Sequence, residues 1–195
     1  LAIQSGLIPV FPPLEPGGDF WDTAFLRSAL SSLRRRGQKQ IIKNLILGAY
    51  AWTCDRPLDW GAGGPERWPG ARPYHTPESE QDQRGFRIFD WYLTLAEAEL
   101  GDTRPIFLIG AGHRLPADSG AADSAAHTQI NLNIARVISG ENLEGTQAVP
   151  GEVLACNFWL LSTAKKSPHV SEAWYPPEGQ PLPVVSSLRQ WVASR

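Results

Sequence analysis

The chain is poor in the residues that mark a redox, metal or membrane function. Only two cysteines occur among 195 residues, Cys54 and Cys156, and neither belongs to a CxxC pair. A thiolate zinc site therefore lacks its usual spacing. The four histidines, His75, His113, His127 and His169, show no HxxxH spacing, so no metal or other cofactor is expected. Charged residues make up 19% and the formal net charge is −2. The only basic cluster, Arg34-Arg35-Arg36, falls near a predicted helix end, where the helix dipole favours cations. Nucleic acid is thus not an expected partner. No apolar run approaches the ~20 residues that cross a bilayer, so a membrane is not one either. GxGxxG is missing after the first predicted strand, which leaves a dinucleotide-binding unit unsupported. GxSxG is missing too, which removes the nucleophile-elbow hydrolases. Methionine is absent and the first residues lead straight into an apolar segment, so a piece of a larger protein is expected. A disulfide between the two cysteines is left open, and with it the compartment. Cys156, inside an apolar run, reads as a small core residue.

What is plentiful is equally informative. Apolar residues reach 42%, enough for one domain with a core. Tryptophan occurs 8 times, proline 17 and glycine 18. Many indoles in a weakly charged chain with long Pro/Gly loops suit a carbohydrate site, where flat rings meet sugar faces. Core packing accounts for about half of such rings.

The elements alternate. Leu7 to Phe11 reads as a short strand, followed by a loop with Glu15 and a helix capped by Asp19 or Asp22. Phe25, Leu26, Ala29, Leu30 and Leu33 recur at helical spacing up to Gly37. The stretch from Asn44 to Trp52, NLILGAYAW, reads as a strand buried on both faces. A long loop, about 53–80, leads to a helix whose stripe is Phe86, Phe89, Leu93, Ala96 and Leu100. Ile106 to Ile109 reads as the third strand, breaking into a Gly110-Ala111-Gly112 turn. Ile130, Ile134, Val137 and Ile138 mark another helix, VLACNFWLL a fourth strand, and the segment from about Pro183 the last helix. The β-α-β-α-β-α-β-α order predicts an α/β fold of four βα units with parallel strands. Loops after strands are long and carry the aromatic and polar residues. Loops after helices are short, so function is expected at the C-terminal ends of the strands.

Four such units match half of an eight-unit barrel. The stretch GFRIFDWYLTLAEAELGDTRPIFLIGAG, with NFWLLS and EAWYPPEG after it, resembles the C-terminal half of clan A (β/α)8-barrel glycoside hydrolases. The resemblance implies a single half-barrel-like domain over 1–195, a fragment of a larger barrel, that acts on oligo- or polysaccharides. It makes an extracytoplasmic location plausible without fixing one. It equates Pro105 with the family's strand-seven proline and Gly112 with its glycine. Gly110 then stands where the nucleophilic Glu is expected. The acid/base Glu would precede residue 1. Both carboxylates of a retaining mechanism, about 5 Å apart, are thus missing from their places. The expectation is a glycan-binding protein weak or inactive in hydrolysis.

Two other readings compete with it. In one, other carboxylates serve as acid and base: Glu15 and Glu172 foremost, with Asp55 and Asp59 also in strand-end loops. His113, oriented by Asp118 or Asp123, is a further catalytic candidate. In the other, the chain is a structural half barrel that works by pairing, as a homodimer or with a missing N-terminal half. The substrate-binding candidates are Tyr50, Trp52, Asp55, Arg114, Asn157, Trp159, Trp174 and Tyr175, all at or just after strand ends.

Overall fold

A computed structural model of the chain describes residues 5–115 and 119–195. Four strands form one all-parallel sheet in the order β1-β2-β3-β4: β1 (Val10–Phe11), β2 (Ile46–Trp52), β3 (Ile106–Gly112) and β4 (Val153–Phe158). The helices are α1 (Asp22–Arg35), α2 (Lys39–Asn44), α3 (Gly64–Arg67), α4 (Ile88–Leu100), α5 (Ala121–Ile138) and α6 (Pro183–Ala193). The predicted α/β class and the four βα units are present.

Several boundaries differ from the expectation, each for a physical reason. The first apolar run pairs only through Val10 and Phe11. Pro9, Pro12 and Pro13 on either side have no N–H to give a ladder. Gly110-Ala111-Gly112 is not a turn but the end of β3. Tyr50 pairs with Gly110, Trp52 with Gly112 and Phe158 with Ala111, so neighbours on both sides hold these small residues extended. Lys39–Asn44, which covers most of the expected short loop after the first helix and the expected first residue of the second strand, is a short helix. Strand β4 stops at Phe158, and the Trp159–Leu160 peptide that follows is cis.

A sheet in sequential order with right-handed crossovers places every helix on one face. The burial follows that rule. Leu47, Ala49 and Ala51 of β2, with Ile106, Leu108 and Ala111 of β3, are buried in one cluster. Leu26 and Leu30 of α1, Phe89 and Tyr92 of α4 and Ile134 of α5 belong to the same cluster. A smaller cluster seats Val184 and Val185 of α6 against Trp174, with Phe158 beside it. Tyr50, Trp52, Phe107 and Asn157 sit on the opposite face and are only partly buried or exposed, whereas Gly48 and Gly110 are buried.

Two buried polar anchors fix the loops. Asp22, in the first turn of α1, is fully buried and accepts bonds from Gln83 Nε2 (2.6 Å), the Tyr92 hydroxyl (3.1 Å) and the Gly17 amide (3.3 Å). Desolvation raises its carboxyl above the ordinary value, although those donors pull it back. Asp82 takes the Trp60 indole N–H, the Thr76 hydroxyl and the Arg84 guanidinium, so the end of the long loop is tied to its middle. Both cysteines are free.

Candidate functional site

A cleft of about 290 Å³ opens at the C-terminal ends of the strands. Trp52, Thr53, Cys54 and Asp55 line it from the end of β2, Arg114 and Leu115 from the end of β3, and Glu172 from the segment after β4. The backbone turns sharply out of β2. Cys54 (φ 49°) and Asp55 (φ 57°) are both left-handed, a conformation that costs free energy and concentrates at functional sites. Hydrogen bonds hold the turn: the Thr53 amide donates to the Gly112 carbonyl (3.1 Å) and the Arg56 amide to the Thr53 carbonyl (2.9 Å).

Glu172 is the hub. Arg114 grips it with both ends of its guanidinium, Nε to Oε2 at 2.8 Å and Nη2 to Oε1 at 2.7 Å. The Trp159 indole N–H donates to Oε2 (2.6 Å), and His169 Nδ1 lies 3.0 Å from Oε1. Burial alone would raise this carboxyl. The bonds from Arg114, His169 and Trp159 outweigh burial and hold it down at about 2. An ionised carboxylate only accepts, so His169 carries its proton on Nδ1. Nε2 takes no part in that contact.

The aromatic residues form a layer rather than a row of open platforms. Tyr50 and Trp52 stack with ring centres 4.7 Å apart and 12° between planes. The Arg114 guanidinium lies 5.0 Å from the centre of the Trp52 ring. Trp52 thus has a neighbour on Tyr50 and another in Arg114. Trp159 meets Trp52 and His169 edge-on, and no ring lies parallel to it. Gly110 sits against this layer. A Cβ there would lie 3.0 Å from Tyr50 Cδ1 and 3.5 Å from Trp159 Cε3. The position that the resemblance assigns to a nucleophile is therefore closed by rings.

His113 follows β3 and is clamped by its backbone. Its amide donates to Asn131 Oδ1 and its carbonyl accepts from Asn131 Nδ2, both at 3.0 Å. The clamp requires Gly112, whose φ is +113° and whose Cβ would fall 2.3 Å from Asn131 Oδ1. His113 Nδ1 lies 3.0 Å from the Thr53 hydroxyl and 3.7 Å from Asp55 Oδ1. Behind it His127 is buried, with no hydrogen-bond partner at either ring nitrogen. Desolvation and the nearby His113 lower it to about 4, so this ring is neutral.

Of the residues singled out in the sequence, the cleft brings together Trp52, Asp55, Arg114 and Glu172. Tyr50 and Trp159 lie beside it in the aromatic layer. Trp174 does not offer a free ring: it is buried between His127 and Phe158. Tyr175 is turned to α6, its hydroxyl accepting from Arg189 Nη2. Asn157 is exposed on the open face of β4. Glu15 is exposed outside the cleft lining, near enough to Arg114 to act on it electrostatically. Asp59 accepts from the Gln147 amide. Asp123 is bound to the Gly120 amide at the start of α5, and Asp118 lies outside the described residues.

The sequence reading missed Thr53, Leu115 and the role of His169. The His169–Glu172 spacing of three was a usable signal for the last of these. Desolvation and the adjacent Asp55 push the Cys54 thiol up, which disfavours its thiolate. Cys156 is pushed up to about 12 by burial. Among the described residues no group of three His, Cys, Asp or Glu could hold a metal, and no helix is long and apolar enough to cross a membrane. No protein-family model, curated protein or solved structure matches the chain.

Proposed function

We propose that this chain binds an oligo- or polysaccharide in the cleft at the C-terminal ends of its strands, as a glycoside-hydrolase-like half barrel with little or no hydrolytic activity. One observation carries the reading. An acceptor- and donor-rich cleft meets an aromatic layer there, while its one deeply engaged carboxylate, Glu172, is saturated by Arg114, His169 and Trp159. A sugar needs flat apolar surface plus a few fixed polar groups. Trp159 supplies the surface. Arg114, Asp55, Thr53 and Nε2 of His169 supply the groups.

Hydrolysis through two carboxylates needs an acid that owns a proton near neutral pH. A carboxyl held at about 2 has none to give, so Glu172 is not that acid; its bonds make it a brace for Arg114 and Trp159. The test is a fluorescence titration of the purified chain with soluble β-1,4-linked gluco-, manno- and xylo-oligosaccharides, with product analysis in parallel. Saturable quenching that Arg114→Ala weakens at least ~10-fold, without product, supports the proposal. Product formation abolished by Glu15→Gln or Glu172→Gln would replace it with an active glycosidase. Neither binding nor product with any sugar would remove it.

A further inference from the structure

The sheet has two open edges and one uncovered face. Among the described residues, strand β1 pairs only with β2, and β4 only with β3. Open edges of this kind recruit further strands unless they are blocked. Pro9, Pro12 and Pro13 limit β1 to two residues, whereas β4 contains no proline, and both edges are apolar in the strand layer and in the helix layer alike. Ile8, Val10 and Phe25 on the β1 side, with Leu154, Leu161 and Val192 on the β4 side, are between 43 and 63% exposed. Between the edges, the face opposite the helices carries Tyr50, Phe107 and Ile109 and no charged strand residue. Apolar residues left exposed at both edges and on the face between them mark an interface.

We propose that a second copy of this chain covers this face, with β4 of each copy beside β1 of the other, so that eight parallel strands close into one barrel. Three features favour a copy of itself. Each copy offers one edge of each kind, so a twofold arrangement leaves neither edge open. The uncovered face bears no charge on its strands and meets its own image without repulsion. Eight strands is the number whose interior side chains just fill, and residues such as Tyr50, Phe107 and Val10 from two copies are the side chains to fill it. Closure would wall the strand-end cleft on the side that is now open. The inference rests on the fold alone and holds whether or not the cleft binds sugar.

Light scattering of the full chain tests it. The expected mass is twice 21.4 kDa, with dissociation only below about 1 µM, as for an interface of ordinary size. Leu154→Lys, at a residue whose exposure lets the monomer fold unchanged, is expected to raise the dissociation constant at least ~100-fold. Its circular dichroism checks the fold. Glu144→Lys, in the exposed loop before β4, is expected to leave the mass at twice the chain. A mass of one chain at about 100 µM with intact dichroism would overturn the proposal and give the face to βα units of another polypeptide. A dimer that survives both Leu154→Lys and Val10→Lys would place its interface elsewhere and overturn it equally.

Discussion

Glu172→Gln separates the charge of the hub from its shape. The side-chain volume is kept, and one oxygen can still accept from the Trp159 indole. The other oxygen becomes an NH₂ group, which faces the Arg114 guanidinium donor to donor. The bonds of Arg114 Nη2 and His169 Nδ1 to that oxygen are lost, while Arg114 Nε keeps the other. Such bonds contribute roughly 1.5–3 kcal/mol. Arg114 and His169 are both partly exposed and can take water in their place, so a loss near the lower end, about 2 kcal/mol, is expected at neutral pH.

The pH dependence sharpens the test. The ordinary value of this carboxyl is 4.5 and its folded value is about 2. Between the two, the unfolded chain takes up the proton first. The stabilisation is therefore complete above pH 4.5 and disappears as the pH falls through 2. At ~1.36 kcal/mol per unit its ceiling is about 3 kcal/mol, which agrees with the bond estimate. Urea denaturation followed by tryptophan fluorescence, run across this range, reads both numbers at constant m. The gap between wild type and variant is expected to be widest near neutral pH and to close in acid. A gap that stays constant down to pH 2 would refute the argument, because only packing would then distinguish the two proteins.

Gly110→Ala is expected to destabilise by roughly 1–3 kcal/mol, since its methyl would press on Tyr50 at 3.0 Å, and the double variant with Tyr50→Leu should recover part of that loss. Wild-type stability in the single variant, measured by the same denaturation, would show that the aromatic layer yields. His127→Phe removes two unpartnered ring nitrogens. Wild-type stability should fall as the pH drops from 6.5 toward 4, because the unfolded histidine is protonated before the folded one, with a ceiling of about 3 kcal/mol. The phenylalanine variant should lack that slope, and its persistence would assign the slope to another group.

Much of the fold was legible because its strands and helices announce themselves locally. NLILGAYAW contains β2, and the stripe ending at Leu100 contains most of α4. The end of β3 was not legible. Glycine and alanine carry turn propensity, and only the ladders from Tyr50, Trp52 and Phe158 on either side reverse it. At the site, the aromatic strand ends could be found from their position after apolar runs. Their partners could not. Arg114 and Glu172 are 58 residues apart, and the Asn131 clamp on His113 spans 18. No period or motif links such pairs; the crossovers bring them together. Trp174 shows the converse: its place after β4 suggested a sugar platform, and packing against Phe158 and His127 buries it.

The glycine at the tip of β3 and the saturated carboxylate after β4 belong to one arrangement. With no side chain at Gly110, Tyr50 and Trp159 can close over the strand. Tyr50 in turn carries Trp52, Trp52 lies beside Arg114, and Arg114 and Trp159 both hold Glu172. A carboxylate at Gly110 would need the space of the Tyr50 ring. Rate acceleration requires groups that bind the transition state better than the ground state. A carboxylate whose donors are fully engaged before any ligand arrives has little left to gain as charge develops. Under the proposed function, a constellation that holds rings and charges in fixed positions would favour recognition of a bound polyol over its turnover.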